Sequence, residues 1–240
     1  GQKIWTSRAL YSDLMVLLAR TSPVKEGQRP FDGLSVFLIH LRDDQGDLVP
    51  GLTINPIPTM MNHSTTEVFF DKVTVTAAAL IGTEGQGFRH ILDGMNAERI
   101  LIASECIGDG RFFIERGSAY ATERHVFGRP IGQNQGVQFP LAKAYASLQA
   151  ADLMRYKAAE LFDRGEPCGA EANMAKLLAS EASWAAGNAA LDTHGGFGFA
   201  TEYDIERKLR ETRLYQVAPI NNNLILAFLG EKVLGMPKSY

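Results

Sequence analysis

The chain has 240 residues, of which 45% are hydrophobic and 21% are charged, and its formal net charge is −3. These values are typical of globular proteins, and they give no electrostatic case for binding nucleic acid or an anionic membrane. The two cysteines, Cys106 and Cys168, lack the spacing of a metal site or a disulfide framework, so we expect reduced, buried thiols in a cytoplasmic or organelle-matrix protein.

Residues 1–82 are predicted to form a β domain. Apolar runs rich in Val, Ile, Leu and Phe cover residues 14–20, 34–41 and 67–75, and turn-forming clusters separate them. The chain starts in strand-like sequence without a Met, so we expect it to be a fragment. The glycine cluster at 82–87 lacks the GxGxxG spacing of a dinucleotide loop and is predicted to be a turn followed by a helix start.

From about residue 83 to 240 the pattern becomes helical. Ala-rich segments cover roughly 86–124, 137–164, 168–194 and 203–234, and Gly and Pro mark the breaks between them. Long helices joined by short loops favour antiparallel neighbours. The predicted fold class is therefore α+β, with an antiparallel β domain followed by an antiparallel four-helix bundle. No apolar run is long enough to span a membrane.

Glu98 is the most unusual residue of the first helical segment. At helical spacing it lies between Met95 and Ile102 on a stripe that we expect to be largely apolar, and Gly94 precedes it by one turn. Burying an unpaired carboxylate costs several kcal/mol, so Glu98 is either at the edge of this face or kept there for its basicity. We expect no metal site, because His63 and His194 have no partner ligands at suitable spacing.

The segment from Ala121 to Phe139 combines a cation, an aromatic residue and an amide around a helix start. Arg124 is predicted to end a helix, Phe127 and Gly128 to form the break, and Gln135 to begin the next helix. Such residues could hold a phosphate and an adenine, although the spacing alone is a weak signal.

Together these segments resemble the acyl-CoA dehydrogenase family, from end to end and in order. The similarity is carried by VFFDKVTVTAAALIGTEGQGF, ERHVFGRPIGQNQ and THGGFGFATEYDIERKLRE, and it covers the family's middle β domain and C-terminal helical domain but not its N-terminal helical domain. The resemblance implies FAD as cofactor and a homo-oligomer, usually a dimer of dimers. It implies that Trp5, Thr6 and Ser7 lie beside the flavin ring, and that Asp192, Gly195 and Gly196 lie close to the cofactor. It implies that Arg124, Phe127 and Gln135 hold the pyrophosphate and adenine end of FAD from the partner subunit, that Asn221, Asn222 and Asn223 approach the adenosine part, and that Asn96 and Arg99 contact the substrate.

The chain departs from the family pattern near the cofactor and at the catalytic base. Asp192 stands where a glutamine is common, and an ionised carboxylate cannot donate a hydrogen bond. Many members carry the base shortly after a Tyr-Gln pair, where this chain has Pro219. A minority place it on the first bundle helix, immediately before an arginine. That position is Glu98, followed by Arg99, so the resemblance and the unusual stripe both indicate Glu98.

The implied reaction is α,β-dehydrogenation of an acyl-CoA thioester to a trans-2-enoyl-CoA, as in fatty acid β-oxidation, with an electron-transferring flavoprotein as acceptor. Glu98 would remove the α-proton. Two alternatives stay open: an acyl-CoA oxidase, and a flavin-binding protein that has lost the chemistry.

Overall fold

The structure is a computed structural model that describes residues 1–61 and 63–239, with Asp93 described by its backbone alone. The chain divides into two compact units, Gly1–Gly94 and Met95–Tyr240. This division falls inside the first long helix, whereas the sequence placed the boundary at 82/83. Within the described ranges, no helix is long and apolar enough to cross a membrane.

The first unit contains two antiparallel three-stranded sheets, ordered β1-β5-β4 and β2-β3-β6. The strands are β1 (Gln2–Ser7), β2 (Leu14–Arg20), β3 (Leu34–His40), β4 (Leu52–Pro56), β5 (Thr65–Phe70) and β6 (Leu80–Ile81). Leu17 and Ile39 from one sheet and Ile54 and Val68 from the other share one apolar core. The strand predicted over 67–75 ends at Phe70, because Lys72 has a φ of +53°, which an extended strand does not adopt.

The glycine cluster forms the predicted turn and helix start. Gly82 and Gly85 have φ values of +70° and +80°, and the first long helix, α1 (Gly87–Glu123), follows them. The hydroxyl of Ser35 accepts the N–H of Gly85 at 2.8 Å. A Cβ on Gly87 would lie 2.5 Å from the carbonyl carbon of Ser35, so this close approach requires glycine.

The second unit is helical, as predicted, but its fourth helix is broken. Its elements are the rest of α1, the strands β7 (His125–Val126) and β8 (Arg129–Pro130), and the helices α2 (Gln135–Asp163), α3 (Gly169–His194), α4 (Ile205–Thr212) and α5 (Asn222–Phe228). The single helix predicted over 203–234 was wrong. Pro219 lacks an N–H and disfavours helical backbone in the preceding residue, so the chain leaves the helix after the short turn at Arg213–Gln216.

The bundle core is built from small side chains. Ala172, Ala175, Ala179 and Ala182 of α3 are buried in one cluster with residues of α1 and α2, and small residues let the helices approach closely. Cys106 belongs to the same cluster, and both cysteines are free and buried, as the sequence predicted.

The buried side of α1 differs from the predicted stripe. Ile100, Ala103 and Ile107 face the core. Glu98 is exposed, whereas its expected neighbours Met95 and Ile102 are half-buried. The stripe through Glu98 therefore lies beside the core rather than in it, since successive helix residues are displaced by about 100°. Of the two alternatives that the sequence left open, the exposed side chain of Glu98 matches a position at the edge of the apolar face.

Candidate functional site

A concave site of the second unit lies where the end of α1 meets the end of α3. It encloses about 590 Å³. Its walls are mostly apolar, with one guanidinium and a glycine turn. The lining residues are Tyr120, Arg124, Val126, Ile131, Thr193, His194, Gly195, Gly196, Phe197 and Ala200.

Arg124 supplies the positive charge of this cavity. It directly follows α1, and its N–H donates to the carbonyl of Tyr120 at 2.9 Å. Its own carbonyl accepts the N–H of Ile131 at 2.8 Å, so the backbone is held on both sides. The side chain is exposed, and no carboxylate in the described ranges forms an ion pair with it. Arg124 therefore presents a guanidinium that is available to an anion.

The hairpin after Arg124 displays an aromatic ring to solvent. Phe127 and Gly128 occupy the two central positions between β7 and β8, with φ values of +53° and +78°, as in a type I′ turn. The side chain of Phe127 is 100% exposed. Its left-handed backbone is uncommon for a bulky residue, and the ring gains nothing from packing within the chain. Gln135, the first residue of α2, is also exposed.

The glycine turn follows the last residue of α3. Gly195 has a φ of +56°, and a Cβ added to Gly195 or Gly196 would meet nothing within 4 Å. A ligand can therefore come close to this backbone. His194 is structural, as the sequence predicted: its Nδ1 pairs with the carbonyl of Ala190 at 2.7 Å. Its ring stacks on Tyr120 with centroids 4.2 Å apart, and sequence reasoning missed this partner.

Asp192 lies two residues before the cavity-lining His194. Its side chain is exposed, and its carbonyl accepts the N–H of Gly195. The carboxylate therefore brings negative charge to the end of α3, close in sequence to the glycine turn. An anion in the cavity would be repelled by it, with a strength that depends on salt.

The three asparagines before and in α5 have different roles. The side-chain oxygen of Asn221 accepts the N–H of Leu224 at 2.8 Å and caps α5, while Asn223 is exposed. Asn222 points to α3, where its oxygen accepts a hydrogen bond from the ammonium of Lys176 at 2.8 Å. Lys176 was not identified from the sequence, because a lysine in an Ala-rich helix is normally at the surface.

Glu98 and its neighbours form a separate candidate site on α1. The guanidinium of Arg99 is half-buried and donates to the side-chain oxygen of Asn96 at 2.9 Å, and its Nε has no partner among the described residues. Burial lowers the pKa of Arg99, and the negative charge of Glu98 opposes that shift. Glu98 itself forms no hydrogen bond or ion pair in the described part of the chain, so its carboxylate is available.

Trp5 lies in the first unit, in the strand β1. The register with β5 shifts between Lys3 and Thr6, and Trp5 has a φ of +62° with 65% of its surface exposed. A left-handed backbone costs an L-residue roughly 1–2 kcal/mol, and such strain is often found at functional sites. Thr66 fixes the next residue by donating its hydroxyl to the carbonyl of Thr6 at 2.7 Å, and Ser7 ends the strand.

The structure brings together only part of the predicted cofactor set. Arg124, Gly195 and Gly196 line one cavity, whereas Trp5, Thr6 and Ser7 belong to the other unit. A free guanidinium, an approachable glycine backbone and apolar walls are the groups that a pyrophosphate and an adenine require, so the residues present fit the adenine dinucleotide end of FAD. Among the described residues, no group of three or more His, Cys, Asp or Glu could hold a metal ion.

Comparisons with known proteins show which family the chain resembles. Acyl-CoA dehydrogenase FadE12 of Mycobacterium bovis is 35% identical over 245 residues, which cover 100% of this chain and 61% of that protein. The structure of glutaryl-coenzyme A dehydrogenase with glutaryl-CoA superimposes with a TM-score of 0.90 at 30% identity, covering 100% of this chain and 59% of the other. The FAD complex of PigA gives a TM-score of 0.89 at 28% identity, covering 98% and 60%.

The chain spans about three fifths of the length of these relatives. The family model described as the acyl-CoA dehydrogenase C-terminal domain matches residues 85–232, which include α1 to α5 almost entirely. The match covers more than half of the chain, and the chain belongs to the acyl-CoA dehydrogenase family.

Proposed function

We propose that this chain forms the flavin-binding part of an FAD-dependent enzyme that oxidises an acyl-CoA thioester to the trans-2-enoyl-CoA. Family membership supports the reaction class, and the FAD complex of a structural relative supports the cofactor. Arg124 would hold the pyrophosphate of the FAD of the partner subunit, the Gly195–Gly196 backbone would approach the cofactor closely, and the apolar walls would accept the adenine. Trp5, Thr6 and Ser7 would lie beside the flavin ring, and Phe127 and Gln135 would contact the adenine end.

Glu98 is the proposed catalytic base, and the observation that carries this assignment is its free carboxylate next to Arg99. Arg99 turns inward to Asn96, whereas Glu98 remains exposed and unpaired among the described residues. The other position for a base is occupied by Pro219, whose side chain cannot accept a proton and whose backbone has no N–H. A base in this chain must therefore come from elsewhere.

The chemistry that bound FAD would supply is acceptance of the β-hydrogen of the substrate as a hydride. Glu98 removes the pro-R α-proton, which is much less acidic than a carboxylic acid. A carboxylate in water is too weak a base for this step, so exclusion of water by the bound acyl chain must raise its basicity. Hydrogen bonds to the thioester carbonyl would stabilise the developing negative charge. Asn96 and Arg99 would help to hold the acyl-CoA.

The second candidate function is flavin binding without dehydrogenation. Pro219 at the common base position and Asp192 beside the glycine turn favour this alternative, because each removes a group that the family commonly uses. It predicts bound FAD that no acyl-CoA reduces. An oxidase differs from a dehydrogenase in that its reduced form would react quickly with oxygen.

The remaining assignments extend the same proposal. We infer that electrons pass to an electron-transferring flavoprotein and that the protein is a homo-oligomer, with a dimer of dimers as the expected form. The free, buried thiols Cys106 and Cys168 are compatible with a reducing compartment, such as the cytoplasm or the mitochondrial matrix.

The proposed function is tested with the full-length protein purified with its flavin. A panel of acyl-CoAs of different length and branching is added without oxygen, and the visible absorbance of the flavin is followed. Bleaching by at least one acyl-CoA, with an enoyl-CoA product, supports the dehydrogenase. Bound FAD that no acyl-CoA bleaches supports the second candidate, and a protein without affinity for FAD contradicts both.

A further inference from the structure

A buried polar stripe runs along the otherwise alanine-rich helix α3. Asn173, Lys176, Ser180 and Ser183 are spaced by three and four residues, so they lie on one side of the helix, and all are buried. Lys176 is 0% exposed. Burying an ammonium is costly unless its protons are accepted by good partners, so this position requires an explanation beyond filling space.

The partners of Lys176 all belong to one segment. Its ammonium donates to the carbonyl of Ile220 at 2.7 Å and to the side-chain oxygen of Asn222 at 2.8 Å. The amide of Asn222 donates to the hydroxyl of Ser180 at 3.2 Å, one turn further along α3. No carboxylate of the described residues lies within ion-pair distance of this ammonium. Burial lowers the pKa of Lys176 to about 8, in agreement with a cation held by neutral groups.

These contacts fix the backbone immediately before and in the first turn of α5. Ile220 and Asn222 flank Asn221, whose side chain caps the helix by accepting the N–H of Leu224. The next residue, Asn223, is exposed. Lys176 therefore sets the position of the two asparagines that are assigned to the adenosine part of the cofactor.

We propose that Lys176 is a positioning residue that holds segment 220–223 in the geometry in which Asn221 and Asn223 contact the adenosine part of FAD. This inference rests on the proposed function. A methionine at position 176 would fill a similar volume and would avoid the cost of burying a charge. It would leave the carbonyl of Ile220 without a donor and the oxygen of Asn222 with only the hydroxyl of Ser180 at 3.3 Å, so the segment would be less firmly fixed.

The test measures FAD affinity of the full-length apoprotein by titration of flavin fluorescence. Lys176→Met should raise the Kd for FAD by about tenfold, the effect of losing hydrogen bonds to a charged group. Lys208→Met is the matched control, because Lys208 pairs with Asp109 and Glu211 and, among the described residues, forms no hydrogen bond or ion pair with segment 220–223. Its Kd should stay within about twofold of wild type, as expected for independent sites. If the two variants raise the Kd for FAD by the same factor and lower the Tm by the same amount, the proposal is overturned.

A second measurement needs no bound flavin. In the apoprotein, hydrogen exchange at the N–H of Leu224 should be faster in Lys176→Met than in wild type, and unchanged exchange would contradict the positioning role. If Lys176→Met does not fold, Lys176→Gln is measured instead. The glutamine amide can still donate to the carbonyl of Ile220, so this variant should show smaller increases in the Kd for FAD and in the exchange rate at Leu224.

These measurements distinguish a failure of the proposed function from a failure of the role proposed for Lys176. Wild-type protein that does not bind FAD contradicts the proposed function. Wild-type protein that binds FAD, with unchanged Kd in the folded Lys176 variants, contradicts the role of Lys176 alone. The double variant Lys176→Met with Asn222→Ala should have a Kd for FAD no higher than that of the single variant with the higher Kd, because both changes remove the same contact.

Discussion

Asp109 of α1 and Lys208 of α4 form an ion pair of 2.6 Å whose carboxylate is almost fully buried. The second carboxylate oxygen accepts the hydroxyl of Thr212 at 2.5 Å. Both oxygens of Asp109 are therefore paired. The middle of α4, through Lys208, and the end of α4, through Thr212, both bind the same residue of α1. Within α4, Arg207 and Glu211 form an i,i+4 pair at 3.0 Å.

Removal of this carboxylate should destabilise the second unit. Asp109→Ala leaves the buried hydroxyl of Thr212 without its acceptor and the ammonium of Lys208 with only Glu211 at 3.5 Å, and we expect a loss of about 2–3 kcal/mol in the free energy of unfolding. Urea denaturation measures this change. Glu160→Ala is the control, because Glu160 forms an exposed pair with Arg164, and it should cost less than about 1 kcal/mol. If both variants lose the same free energy of unfolding, the buried pair does not contribute more to stability than the exposed pair.

Stability should depend on pH through Lys176. Its pKa is lowered by burial from 10.5 to about 8, so between these values the unfolded chain binds more protons than the folded chain. Stability therefore rises with pH in this window, by roughly 1 kcal/mol per unit at most. The buried thiol of Cys106, whose pKa is raised to about 12, has the opposite effect above pH 9. The difference between wild type and Lys176→Met isolates the lysine, and a difference that is flat between pH 8 and 10 would contradict the shift.

Neutralising Asp192 should strengthen FAD binding. Asp192→Asn removes a negative charge close in sequence to the glycine turn and restores an amide where the family commonly has one, so we expect a Kd about three- to tenfold lower, with a smaller gain at high salt. Fluorescence titration at two salt concentrations measures both effects. Asp163→Asn, at the exposed end of α2, controls for net charge and should leave the Kd unchanged. Weaker binding by Asp192→Asn would mean that the carboxylate is used.

Arg124 should contribute more to FAD affinity than its neighbour in the hairpin. Arg124→Ala removes the guanidinium of the cavity, and we expect a Kd about 10- to 100-fold higher, the effect of losing charge-assisted hydrogen bonds. Arg129 donates to Asn134 at 2.9 Å and does not line the cavity, so Arg129→Ala should change the Kd by a small factor only. If the two variants bind FAD equally well, the cavity is not the pyrophosphate site.

Elements set by local pattern were predictable from the sequence, and long-range placement was not. The ends of the three long helices are marked by glycines and by the hairpin at Phe127 and Gly128, so they could be located to within about two residues, the usual precision for helix ends. The break at Pro219 was missed because the helical period continues on both sides of it. Lys176 was missed because its burial depends on Ile220, which is distant in sequence.

The candidate site was also predictable from the sequence only in part. Arg124, Gly195 and Gly196 were identified by resemblance, and the fold places them around one cavity. The sequence left two alternatives open for Glu98, because a short apolar stripe does not establish which neighbouring face of α1 meets the core. Only packing against α2 and α3 decides that.

The central claim is that Glu98 is the base, and anaerobic mixing of acyl-CoA with full-length Glu98→Gln tests it most directly. Glu105→Gln is the matched control, since Glu105 is an exposed glutamate two turns further along the same side of α1. Glutamine keeps the size of the side chain but cannot take the proton. We predict that Glu98→Gln keeps FAD and acyl-CoA binding while flavin bleaching slows by about 10²- to 10⁴-fold, and that Glu105→Gln bleaches at the wild-type rate. Bleaching of Glu98→Gln at the wild-type rate would contradict the assignment.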